Sequence, residues 1–220
     1  MGPGVHVEIW SDVVCPWCYI GKRRFEQAVA DLAGELEVTY SYRAYQLDPT
    51  APPGATTPVV EAYARKFGGP EQAAAIIDRV TGIAAQDGLE FRLDRATRAN
   101  TLSAHRLLWL AEQPDSPVAQ RDVKERLLRA YFTDGLDVGN HEVLVELAVE
   151  VGFDRDRVRA MYDTDEGVAE VAAQVAEAAD LGITAVPTFV VGGRWSVPGA
   201  QDAEVFVQVL RRVAALQADS

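Results

Sequence analysis

Two cysteines, Cys15 and Cys18, are the only ones in a chain of 220 residues, and they stand three positions apart. Two residues placed at random in such a chain fall at that spacing about one time in a hundred, so the pair calls for a chemical reason. Three kinds of chemistry could use it. A structural disulfide closing so short a loop would withdraw little entropy from the unfolded chain. A structural zinc ion needs four ligands, and the remaining candidates, His6, His105 and His141, are not spaced as a second ligand pair. No metal site is therefore expected. A redox-active dithiol is the reading that gives both thiols a role.

The flanking sequence positions the pair. Val5, Val7 and Ile9 alternate with polar neighbours ahead of Val13 and Val14, the pattern of a strand running into a tight turn. Ile20, Phe25, Ala28, Val29 and Leu32 then recur at helical spacing up to Gly34. Cys15 thus falls where a strand hands over to a helix, and Pro16 suits the first helical position, where its missing N–H would be unpaired anyway. A thiol at a helix N-terminus meets free N–H groups and the positive end of the helix dipole, which favour the thiolate. Cysteines so placed titrate between about 3.5 and 7.5 rather than near 8.5. On this reading Cys15 is the accessible, more acidic, attacking thiol. Cys18, one helical turn further in, is turned inward and resolves a mixed disulfide formed at Cys15. Trp17 and Tyr19 either pack on the core or touch the substrate.

A second half of the site is expected at 182–191, a short β-branched run headed by Pro187. Proline cannot donate to a sheet ladder and belongs at the first residue of a strand or at an edge. Most X-Pro bonds are trans. A cis Val186-Pro187 bond would instead bring the backbone of Val186 beside Cys15 and leave its polar groups free for an extended substrate. Gly192 and Gly193 supply a two-residue hairpin turn into Arg194–Val197.

Five segments, Ser11–Gly21 (SDVVCPWCYIG), Arg43–Pro49 (RAYQLDP), Asn100–Arg106 (NTLSAHR), Ala130–Gly135 (AYFTDG) and Val186–Val190 (VPTFV), together resemble the FrnE-type branch of the DsbA-like thioredoxin-fold oxidoreductases. The resemblance runs nearly end to end. It implies that Cys15 and Cys18 form the redox centre, that Pro187 is cis beside it, and that Pro16, Trp17, Val186 and Pro187 contact the substrate. The chain departs from the periplasmic members in carrying Trp17 where they have histidine.

The remaining pattern agrees with an α/β thioredoxin fold interrupted by a large all-helical insertion. One βαβ unit closes with a second strand at Leu36–Tyr45, and Asp48-Pro49 and 51–54 mark an exit loop. Helices are expected at Val59–Phe67, Glu71–Gln86, Arg98–Glu112, Val118–Phe132, His141–Val151, Arg155–Tyr162 and Glu166–Leu181, with a last one at Asp202–Leu216. The thioredoxin-like unit would comprise 1–57 and 182–220, and the insertion 58–181. Glu8 and Asp12 are candidate supporting residues: either could lie buried beneath the dithiol or be a solvated polar residue. His105 is read as a packed, satisfied histidine and Asn100 as preceding or capping its helix.

A net charge of −12 leaves no general attraction to nucleic acid or anionic membranes. No basic region followed by a long apolar run opens the chain, so a cytoplasmic location is expected. The expected activity is thiol-disulfide exchange on a protein or small-molecule substrate, by a monomer or homodimer with no bound cofactor and with glutathione or a thioredoxin-like protein as redox partner. The alternative is a glutathione-dependent isomerase or transferase of the 2-hydroxychromene-2-carboxylate isomerase type, which generally has serine in place of the first cysteine and lacks the second thiol. A non-catalytic binding module, using an apolar groove beside Trp17, is a third class.

Overall fold

The computed structural model describes residues 4–52, 54 and 57–218. Strand β1 (Gly4–Ser11), helix α1 (Pro16–Asp31) and strand β2 (Glu37–Ala44) form the opening unit, with β1 and β2 parallel in the register Val5 to Val38 and Ser11 to Ala44. After the helical segment, β3 (Thr188–Val191) returns antiparallel to β1, pairing Val7 with Val191 and Trp10 with Thr188. β4 (Trp195–Pro198) pairs antiparallel with β3, giving the sheet order β2-β1-β3-β4. Gly192 and Gly193 turn that hairpin at φ 59° and 68°, the positive values that a type I′ turn demands of both central residues. β3 begins at Thr188, directly after Pro187, which has no N–H to give the ladder.

One core lies between the sheet and two helices, α1 and the C-terminal Ala203–Ala218. Phe25, Phe189 and Phe206 meet there, with ring centroids 4.5 to 5.5 Å apart, inside a shell of Val5, Val7, Ile9 and Leu210. Alternation along β1 sends these valines and Ile9 to this face.

Between β2 and β3 run α2 (Val59–Phe67), α3 (Pro70–Gln86), α4 (Leu102–Glu112), α5 (Gln120–Arg129), α6 (His141–Val151), α7 (Arg155–Tyr162) and α8 (Val168–Asp180); the C-terminal helix is α9. Where boundaries differ from the sequence reading, local chemistry explains them. α4 starts at Leu102, not Arg98, because Asn100 accepts from the Leu102 N–H and donates to the Ala51 carbonyl, holding the preceding residues as a loop. α5 ends at Arg129 and continues as a π-helical turn, Ala130–Asp134, closed by Gly135 at φ 70°. α8 starts at Val168 because Gly167 sits at φ 80°.

The helical segment has its own core and is joined to the sheet unit by Val13, Tyr19 and Ile20. Tyr19 stacks near Phe91 and Phe132 and donates to Glu125 at 2.7 Å. The helices also protect the free edge of β2. Gln120 accepts from the Tyr42 N–H and donates to its carbonyl, and Gln174 accepts from the Ala44 N–H, so side-chain amides satisfy groups that would otherwise invite another strand. Among the described residues no helix is long and apolar enough to cross a membrane.

Candidate functional site

Cys15 is the N-cap of α1, with extended backbone (φ −91°, ψ 114°), and its carbonyl accepts the first helical hydrogen bond, from the Cys18 N–H at 3.0 Å. Pro16 occupies the first turn. Both thiols are free and buried, at 3% exposure for Cys15 and 2% for Cys18. They differ in what they face: Cys15 lines a cavity of about 790 Å³, and Cys18 does not.

The Val186-Pro187 bond is cis, and the Cys15 thiol donates to the Val186 carbonyl at 3.5 Å. Val186 lines the cavity, while Pro187 is buried over α1 at Gly21. Pro16 and Trp17 also line it, and Trp17 is 38% exposed at its mouth. Tyr19, by contrast, belongs to the core.

The cavity lies between the β1–α1 turn, the Val186 segment and helices α2 and α3. Its apolar wall includes Val59, Tyr63, Phe67, Ile76 and Val80. Its charged lining is almost entirely cationic: Arg65, Lys66, Arg79 and Arg98 against the single carboxylate of Asp48, which is already paired to Arg98 at 2.6 Å. Arg65 reaches Glu61, but among the described residues Lys66 and Arg79 pair with no carboxylate. In a chain of net charge −12, this is a locally positive mouth on an apolar chamber.

Of the two candidate carboxylates, Asp12 is the buried one, in the turn that leads into Cys15, and Glu8 is not. Asp12 is fully buried and accepts from the Val13 and Leu47 N–H groups, each at 2.8 Å. His105 Nε2 lies 3.2 Å from Asp12 Oδ1 and 3.1 Å from the Tyr45 carbonyl; facing two acceptors, it carries the proton and donates. Glu8 lies on the other face of β1 from the aromatic core and is held by Arg43 at 2.6 and 2.9 Å, with its side chain 22% exposed. Alternation along β1 turns Glu8 toward Arg43 on β2 and away from the turn that carries the dithiol.

Burial, followed by the hydrogen bond and charge of Cys18, pushes the Cys15 thiol well above its usual value. Burial would raise Cys18 as well, but the neighbouring Cys15 side chain, the cation of Lys124 and the nearby Ser11 hydroxyl pull it down. The helix N-terminus does act on Cys15 through the Cys18 N–H, yet that contribution is smaller than desolvation in so closed a site.

Lys124 escaped the sequence reading. It comes from α5, is 0% exposed, and its ammonium stands 5.4 Å from the centre of the Tyr42 ring. A lysine embedded in the apolar face formed by Val123, Leu127 and Leu128 was the available signal.

The sequence model of the DSBA-like thioredoxin domain matches residues 6–211. The chain belongs to that family. A solved structure of a probable DsbA oxidoreductase from Streptomyces coelicolor is 39% identical, with a TM-score of 0.86 over 94% of this chain and 89% of the other. The uncharacterized protein YwbO of Bacillus subtilis (strain 168) is 28% identical over 210 residues, which is 94% of this chain and 96% of that protein. A 2-hydroxychromene-2-carboxylate isomerase shares the fold at 14% identity, with a TM-score of 0.70 over 97% of this chain and 98% of the other. In this DSBA-like chain both cysteines of the CxxC spacing are present.

Proposed function

We propose that the protein is a thiol-disulfide oxidoreductase in which Cys15 exchanges with a disulfide seated in the cavity. The observation that carries this reading is the position of Cys15 at the head of α1, open to the cavity, against the Val186 carbonyl and with Cys18 behind it. The Cys15 thiolate attacks a substrate disulfide R–S–S–R′, forming Cys15–S–S–R and releasing R′–S⁻, which takes up a proton. Cys18 then attacks the Cys15 sulfur, closes the Cys15–Cys18 disulfide and releases R–S⁻. Two electrons have passed to the substrate. Glutathione or a thioredoxin-like dithiol returns them by the reverse exchange.

The cavity favours a substrate whose non-reacting part is apolar and carries a negative charge. A small anionic disulfide such as oxidised glutathione meets the charge requirement, as would an acidic, partly apolar peptide segment crossing Val186. The isomerase with the same fold supports a second reading, but that chemistry assigns no use to Cys18. Turnover of oxidised glutathione and of insulin, measured for the parent protein and for Cys15→Ser, tests the proposal. Reduction of at least one substrate that vanishes in the variant is expected; equal rates in both proteins would refute it, and isomerisation surviving Cys18→Ser would favour the second reading.

A further inference from the structure

The cavity is graded in depth. Arg65, Lys66, Phe67, Ile76 and Arg79 at its margin are exposed, whereas Cys15, Pro16, Val59, Val80, Ala99 and Tyr131 are buried. Of these buried residues only Cys15 and Tyr131 carry a polar side-chain group. Tyr131 is 4% exposed, and among the described residues its hydroxyl makes no hydrogen bond. It comes from the π-helical turn that continues α5, an irregularity of the kind often found where a helix places a functional side chain. Its ring packs edge-on to Phe132. A second phenol, Tyr63 of α2, lines the same cavity partly buried, and it too makes no hydrogen bond among the described residues. Burial and then the charge of Cys15 raise Tyr63 to about 12, and burial and then the charge of Tyr63 raise Tyr131 as well, so both phenols keep their protons at neutral pH.

We propose that Tyr131 is a substrate-binding residue that selects small disulfides bearing a carbonyl or carboxylate oxygen on the half of the molecule that carries the reacting sulfur. A cavity of about 790 Å³ is of the size that encloses a small molecule, with apolar walls for contact and a few polar groups for orientation. A disulfide that reaches Cys15 enters the buried end, and there it takes the Tyr131 hydroxyl out of solvent. An oxygen acceptor on that half restores the lost hydrogen bond. A purely hydrocarbon half leaves the hydroxyl unpaired, and a site built around a polar group rejects such an analogue for that reason. Being neutral, the phenol orients the ligand at the buried end, while Lys66 and Arg79 act at the margin through charge. The balance of the exchange is unaltered: Cys15–S⁻ attacks the substrate sulfur, the old S–S bond breaks onto R′–S⁻, and Tyr131 keeps its proton.

This role rests on the exchange reading above, and the two fail differently. Two uncharged disulfides keep the marginal cations out of the comparison: 3,3′-dithiodipropionamide, which carries a carbonyl oxygen, and diethyl disulfide, which carries no oxygen. Reduced protein is mixed with each, and the loss of its thiols is followed by acid quench and mass-tagged alkylation. Tyr131→Phe should react with the amide about five- to tenfold more slowly than the parent, and with diethyl disulfide at a rate within about twofold of it. An equal loss on both disulfides, or no loss on the amide, overturns the role of Tyr131 alone. Parent protein that loses thiols to neither of them nor to oxidised glutathione overturns the exchange reading and this role with it. Because the hydroxyl has no partner among the described residues, Tyr131→Phe should unfold at a urea midpoint no lower than the parent's; a variant that unfolds earlier, or does not fold, would mean that the hydroxyl is bound within the protein, and the assignment falls. The parent alone gives a second readout: measured against the rates of free glutathione with the same two disulfides, it should prefer the amide by about fivefold or more, and no preference refutes the proposal.

Discussion

Gly21 lies directly under Pro187: a Cβ built on Gly21 would stand 2.9 Å from the proline Cγ and 3.4 Å from the Ala200 Cα. The glycine is helical, so its backbone makes no special demand; what it provides is space. Alanine there should gain up to about 1 kcal/mol in helix propensity and lose about 1–3 kcal/mol by overpacking a proline fixed at the head of β3. The steric effect should win. Gly21→Ala is expected to lower stability in urea titration and to reduce exchange activity by displacing the Val186 carbonyl from Cys15. A variant as stable and as active as the parent would show that the segment yields freely.

Cys15 and Cys18 are equally shielded from water, yet only Cys15 opens on the cavity. Limiting alkylation followed by mass mapping should therefore modify Cys15 first, despite its raised ionisation. Cys18→Ser should accumulate a stable Cys15 mixed disulfide on non-reducing gels, and Cys15→Ser should accumulate none. Preferential labelling of Cys18 would reverse the two roles.

Lys66 and Arg79, cavity-lining cations that pair with no carboxylate among the described residues, offer a test of substrate charge. Exposed charges contribute a few tenths to about 1 kcal/mol, so Lys66→Glu and Arg79→Glu should each raise KM for an anionic disulfide roughly threefold or more with kcat little changed. Added salt should raise the parent's KM toward the variants'. A neutral disulfide of similar size should show neither effect. Equal KM values for anionic and neutral disulfides in all three proteins would remove the charge argument.

The elements were legible where local chemistry decides them. α6 runs over the expected His141–Val151 because Asn140 caps two N–H groups and Gly152 ends it at φ 112°. The Cys15-Pro16 junction was readable for the same reason: extended cap, proline in the first turn, apolar periodicity after it. Partnerships across the chain were not. Asp12 and His105 are 93 positions apart, and nothing local distinguishes Asp12 from Glu8 as the buried carboxylate until β2 supplies Arg43 to the latter. The surroundings of the two thiols were not legible either: a helix N-terminus is a local feature, whereas the Lys124 cation comes from α5, more than 100 residues away.

Lys124 carries a stability cost whose pH dependence can be measured. Its ionisation falls from the usual 10.5 to about 8 in the folded protein, mainly through burial. Between those values the unfolded chain binds more protons than the folded one, so stability rises with pH through that window. Below about pH 8 the penalty is felt in full, on the order of 3 kcal/mol. Lys124→Met keeps the aliphatic stem's volume and removes the charge, so it should be more stable than the parent at pH 7, by roughly 1–3 kcal/mol once the lost contact with the Tyr42 ring is allowed for. The advantage should shrink steadily from pH 8 to 10. Comparing the two proteins in a Cys15→Ser, Cys18→Ser background keeps thiol ionisation out of the difference; there the window should open at still lower pH, since no thiolate remains to attract the amine. Urea midpoints at pH 7, 8, 9 and 10 read the effect directly, and a variant less stable than the parent at pH 7 would mean that Lys124 is answered by a partner in the folded state.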